Sequence, residues 1–144
     1  MLRRARPAEA EALAGLWLRS RRAAAGVPRT PRSDDEVRAW FADSVLPSQE
    51  VWVAEAGGGP IALMVLAGEW IEQLYVDPDH QRAGHGAALV RLAQAERSTL
   101  ALWTFLANAR ARAFYESLGF RRSGPASTAN EERAPAVVYR WTRT

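Results

Sequence analysis

Residues 74–89 read LYVDPDHQRAGHGAAL, and the way this stretch is parsed decides the fold. An apolar run ends at Asp77-Pro78, a polar stretch follows, Gly84 and Gly86 flank a histidine, and alanines and leucine then repeat at helical spacing. The pattern is a strand, a turn and a helix start. Such a junction points unpaired amides and the positive end of the helix dipole at one place, which suits an anion. It is not a G-x-G-x-x-G fingerprint, and no lysine is present to make a Walker loop.

Working outward, WIEQLYV at 70–76 is the strand that feeds this junction. VWVAE at 51–55 and IALMVLA at 61–67 are strands joined through AGGGP, so three consecutive antiparallel strands are expected. Before them come a short strand at 2–6, a helix whose apolar stripe is Leu13, Leu16 and Trp17, and a second helix. The second opens at the capping box SDDE of 33–36 and continues through Val37, Trp40, Phe41 and Val45. After the junction, 87–97 is a helix and TLALWTFL at 99–106 a buried strand, parallel to 70–76 because a helix returns the chain. Asn108 caps the helix ARARAFYESL, and Gly119 ends it with Phe120 over its last turn. A short strand at 120–123, a loop at 124–133 and a strand at 136–141 finish the chain, read as one domain over 1–144 of mixed α/β class.

Composition narrows the chemistry. All 19 basic residues are arginine, so a Schiff-base lysine and a lysine base are excluded. There is no cysteine, hence no disulfide, thiolate ligand or cysteine nucleophile. The net charge of +3 permits an anionic ligand, but the acidic residues are scattered among the arginines, and no nucleic-acid partner is expected. No apolar run is long enough to span a bilayer and the N-terminus carries no secretory pattern, so no membrane partner and a cytoplasmic location are expected. His80 and His85 do not form a helical His pair, and no metal is expected.

Two motifs together resemble the GNAT superfamily of acyl-CoA-dependent N-acyltransferases. Gln81, Arg82, Ala83, Gly84, His85 and Gly86 supply Q/R-x-x-G-x-G/A after a strand and before a helix. Asn108, Ala111, Phe114, Tyr115, Glu116, Gly119 and Phe120 supply N-x-x-A-x-x-F-Y-E-x-x-G-F. The resemblance implies a central, mostly antiparallel mixed sheet whose fourth and fifth strands splay apart, with helices on both faces. It implies acetyl-CoA as the cofactor, its pantetheine pairing with backbone near Leu74, Tyr75 and Val76 and its pyrophosphate bound by amides from Arg82 through Ala87. Arg82 and Arg112 would add charge, Asn108 is a helix cap or a cofactor contact, and Phe114 is core or a wall against the cofactor. Tyr115 takes the general-acid position.

For the base, Glu72 and Glu69 are candidates, Glu72 the stronger because it lies within an apolar strand, on a face shared with Leu74 and Val76 if alternation holds. The implied activity is transfer of acetyl from acetyl-CoA to a small-molecule or peptide amine in a ternary complex; the alternative is a non-catalytic acyl-CoA-binding module. Acceptor residues are expected among Trp17, Trp40, Phe41, Trp70, Glu131 and Glu132, with the loop at 124–135 beside them. A homodimer is left open.

Overall fold

The computed structural model describes residues 1–144. Its elements in chain order are β1 (Leu2–Arg4), α1 (Ala10–Ala23) after a 3-10 turn at Pro7–Glu9, and α2 (Asp34–Trp40), which runs through a π turn at Phe41–Val45 into α3 (Leu46–Ser48). Then follow β2 (Glu50–Ala56), β3 (Gly59–Ala67), β4 (Trp70–Val76), α4 (His85–Glu96), β5 (Thr99–Phe105), α5 (Ala109–Ser117), β6 (Arg121–Ser127) and β7 (Ala136–Thr142). The strands make one sheet in the order β1-β2-β3-β4-β5-β7-β6, antiparallel except for β4 and β5. The expected element order and mixed sheet are both present.

β3 explains its own composition. Ala62, Met64 and Leu66 enter one apolar cluster with Leu89, Val90 and Ala93 of α4, while Leu63 and Val65 enter a second with Leu13, Leu16 and Trp17 of α1. A central strand buried on both faces has no polar side, hence the uninterrupted apolar run. The π turn closes the second cluster, because the helix stays wound long enough to bury Val37, Phe41 and Val45 together. At its start Ser33 Oγ accepts from Glu36 N–H (3.1 Å) and Glu36 Oε1 accepts from Ser33 N–H (2.9 Å), the expected capping box.

Two readings need correction. β6 runs to Ser127 rather than ending at Ser123, because Gly124 and Pro125, which read as loop, form an irregularity between Ser123 and Ser127 on an edge strand, where a bulge is tolerated. The strand 99–105 is not buried throughout, since Trp103 is 53% exposed between buried Leu102 and Thr104.

Arg3 ties β1 to the start of α1 through two bonds to Glu9, 2.9 and 2.7 Å, and a third to Glu55 at 3.2 Å. The Arg3 hydrogen bonds hold the Glu9 carboxyl down to about 2, from an ordinary 4.5. A carboxylate with a depressed folded pKa stabilises fully above its unfolded value and loses that contribution as pH falls through the folded one. Glu9→Gln is therefore expected to flatten the loss of thermal stability between pH 4.5 and 2, followed by circular dichroism melts across that range.

Candidate active site

The split in the sheet organises the site. β4 and β5 share a single bridge, Trp70 with Ala101, beside the bond from Ala101 N–H to the Glu69 carbonyl (2.9 Å), and beyond it they diverge. The phase of β4 follows from the bond between Asp77 N–H and the Ile61 carbonyl (2.8 Å). Hydrogen-bonded pairs alternate in an antiparallel ladder, so Tyr75 spends its main-chain groups on Leu63, whereas Leu74 and Val76 turn theirs toward the gap. The main-chain groups of Leu74 and Val76 thus face the gap and those of Tyr75 do not. Ser20 Oγ already donates to the Val76 carbonyl (2.9 Å), which leaves the Val76 N–H.

A register shift in the β3–β4 ladder pairs Val65 with Gln73 and Leu66 with Ile71, leaving Glu72 as the extra residue of a bulge. Ile71, Leu74 and Val76 pack into the cluster under α4, while Glu72 lines a cavity on the other side with Gln73 and Tyr75. The expectation that Glu72 shares a face with Leu74 and Val76 is overturned: the bulge reverses the alternation and presents its carboxylate, bonded to no protein group, to the cavity.

That cavity, about 790 Å³, takes walls from both splayed strands, through Tyr75 of β4 and Trp103 of β5, and from Trp17, Trp40 and the segment 127–132. Its lining holds five carboxylates, Glu36, Asp43, Glu72, Glu131 and Glu132, against two guanidiniums, Arg21 and Arg32. Both cations are already matched: Arg32 with Glu131 at 3.0 Å and Glu36 at 3.6 Å, Arg21 with Glu132 at 3.1 Å. Trp17, Trp40, Glu131 and Glu132 line this cavity. Phe41 is fully buried core and Trp70 lies outside the lining, beneath the Arg140 guanidinium at 5.7 Å.

The junction after β4 is a cradle of free amides. None of the N–H groups from Gln81 through Ala87 has an acceptor within the protein, and the first ladder bond of α4 is Ala88 N–H to the Gly84 carbonyl, 3.0 Å. Arg82 (φ 64°) and Gly84 (φ 83°) take left-handed conformations, which turn successive amides inward as an anion nest does. A Cβ built on Gly84 meets nothing within 4 Å, so the space before it is open. Gly86 is buried, and a Cβ there would lie 3.4 Å from Phe114 and 3.5 Å from Val76, which seats the helix start against α5 and β4.

Asp77 anchors the turn leading into the cradle. Burial pushes its carboxyl up, but Arg19 (2.7 Å) and the Asp79 N–H (3.0 Å) outweigh this and hold it below the usual range.

On α5, Asn108 Oδ1 accepts from Ala111 N–H (3.1 Å), the expected cap. Phe114 and Tyr115 stack edge to face at 5.2 Å, and Tyr115 does the same with Phe120 at 5.7 Å. Tyr115 is 8% exposed and its hydroxyl has no hydrogen-bond partner. Burial drives its pKa well above the ordinary 10, with the nearby Tyr75 phenol adding to the shift. Arg112 donates its Nε to the Leu106 carbonyl (2.8 Å). Arg110, which the sequence reading passed over, instead reaches Gln81 of the cradle at 3.5 Å. No group of His, Asp and Glu is arranged to hold a metal, and no helix is long and apolar enough to cross a membrane.

The free amides of 81–87 follow the end of β4, beside the parted strands. Residues 47–122 match the acetyltransferase (GNAT) domain, and the chain belongs to this family of acyltransferases. It is 32% identical over 127 residues to the peptidyl-lysine N-acetyltransferase YjaB of Escherichia coli, covering 85% of this chain and 83% of that one. The solution structure of apo YjaB superposes with a TM-score of 0.81 at 26% identity, over 100% of this chain and 98% of that one. The fold is shared as well with yncA of Salmonella typhimurium, determined with its cofactor acetyl-CoA (TM-score 0.72, 18% identity, 100% of this chain and 94% of that one).

Proposed function

We propose that this chain transfers acetyl from acetyl-CoA to a cationic primary amine, with the ε-amine of a peptidyl lysine as the acceptor class. The observation that carries the reading is the continuity of the free amides at 81–87, the split between β4 and β5, and the acid-lined cavity touching both strands. The chain as a whole carries +3, so a cavity with an excess of carboxylates selects its ligand against the overall charge. The name of the Escherichia coli relative points to the same acceptor.

When bound, acetyl-CoA supplies the thioester. The amides of Gln81, Arg82, Ala83, Gly84, His85, Gly86 and Ala87 hold its diphosphate, with the Arg82 and Arg110 side chains adding charge. Leu74 and Val76 offer main-chain groups to its pantetheine, and Phe114 forms a wall. Glu72 would take a proton from the bound ammonium and so free the lone pair that attacks the thioester carbonyl; Tyr115 would give its proton to the sulfur as the C–S bond breaks, and the proton that leaves nitrogen as the amide forms would restore the phenol. With no cysteine in the chain, transfer proceeds directly from thioester to amine.

The test is thiol release from acetyl-CoA with an N-terminally blocked lysine peptide. Release above the acceptor-free rate supports the reading; tight cofactor binding with no release on any amine would make the chain a binding module. Glu72→Gln is expected to lower kcat about tenfold with acetyl-CoA affinity unchanged, because bulk water replaces only part of a positioned base.

A further inference from the structure

Arg21 is a buried cation that the reaction as described does not use. It sits in the last turns of α1 with a side chain 9% exposed, as is that of Glu132. Nη1 donates to the Tyr75 hydroxyl (3.1 Å), and Nη2 donates to Glu132 Oε2 (3.1 Å) and to the Pro28 carbonyl (3.2 Å). The guanidinium lies over the Trp17 ring at 4.6 Å and near that of Phe105 at 5.8 Å. One planar group thus meets α1, the segment after it, β4, β5 and the segment between β6 and β7, and Tyr75, Trp17, Phe105 and Glu132 all line the cavity.

Arg21 Nε is buried without a partner. An orphaned donor and a buried ion pair are both costly, so stability alone is a weak reason for the arrangement. Its effect on Tyr75 is specific. Arginine only donates, so the phenol oxygen serves as acceptor and the Tyr75 proton is left with no acceptor in the protein. A phenol whose oxygen accepts from a guanidinium is also a stronger donor.

We propose that Arg21 is the positioning residue of the acceptor site: it fixes the Tyr75 phenol, the Trp17 face and Glu132 in one arrangement and aims the Tyr75 proton at a main-chain carbonyl of the bound lysine peptide. This rests on the reading of the chain as an amine acetyltransferase. A lysine at this place keeps the charge but not the fork that spans three acceptors.

The experiment compares wild type, Arg21→Lys, Tyr75→Phe and the double variant by steady-state kinetics with the blocked lysine peptide and by calorimetry with acetyl-CoA. Each single variant is expected to raise the peptide KM about tenfold. Acetyl-CoA affinity is expected to stay within about twofold, since neither side chain bonds to a residue of 81–87. The double variant is expected to fall short of the product of the two singles, because Arg21 acts in part through Tyr75. A lowered melting temperature with an unchanged peptide KM would make Arg21 merely structural, and fully multiplicative losses would sever it from Tyr75; either overturns the proposal. If Arg21→Lys fails to fold, Tyr75→Phe decides by the same KM criterion, since it removes one hydroxyl. Wild type that binds acetyl-CoA but releases no thiol with any amine overturns the acetyltransferase reading itself, and the positioning role falls with it.

Discussion

Tyr115→Phe is expected to lower kcat about 100-fold while the acetyl-CoA Kd stays within about twofold. A positioned general acid contributes roughly 10² to 10⁴, and the lower figure applies because a free thiol has an ordinary pKa near 8.5 and leaves partly unaided. Affinity should hold because the hydroxyl bonds to nothing in the protein and phenylalanine keeps the ring contacts with Phe114 and Phe120. Stopped-flow thiol release separates the two quantities. A kcat within threefold of wild type would remove Tyr115 from the chemistry.

The pH behaviour has a definite sign. Burial raises the Tyr115 pKa above 10, so the proton-bearing form persists past the ordinary tyrosine value. A group whose folded pKa is raised stabilises fully below the unfolded pKa and loses that contribution as pH rises through the folded one. Wild type should therefore keep its general acid through pH 10, and any decline in kcat below that pH belongs to another group. Tyr115→Phe should also blunt alkaline denaturation above it.

What the sequence could announce was whatever is coded locally. Gly84 at a strand-to-helix junction, the Asn108 cap, the Ser33–Glu36 box and the two-faced apolarity of β3 are each set by a few neighbouring residues, and each is present as expected. The bulge at Glu72 is different in kind. Nothing in WIEQLYV distinguishes a regular strand from one that slips against Val65 and Leu66, because the slip is a property of the pair of strands. Arg21 was invisible for the same reason: its partners Tyr75 and Glu132 lie 54 and 111 residues away. Arg110 and Arg112 are separated by two positions on one helix, and only packing decides that Arg112 turns to the Leu106 carbonyl while Arg110 faces Gln81. Trp103 has the composition of core, and its exposure follows from lying on β5 where β4 has moved away.

Gly84→Ala tests the cradle, and a matched control sits elsewhere in the chain. At φ 83° an alanine is strained by about 1 to 2 kcal/mol. With nothing within 4 Å of the new methyl there is no clash to add. A domain stable by about 5 to 15 kcal/mol stays folded under that load. With the diphosphate on the amides of 81–87, as proposed, the methyl would hold it off the main chain. Several charge-assisted bonds of about 1.5 to 3 kcal/mol each then lengthen together, so the acetyl-CoA Kd should rise about 100-fold by calorimetry. Gly68, in the β3–β4 turn at the opposite end of β4 from the cradle, has φ 59° and an equally open Cβ position, so Gly68→Ala imposes a comparable left-handed strain away from the cradle. The two variants should lose similar thermal stability while only Gly84→Ala loses affinity. Equal affinities would mean that the glycine serves the turn alone and that the diphosphate binds somewhere else; equal losses would mean that strain, transmitted through the fold, accounts for the whole effect.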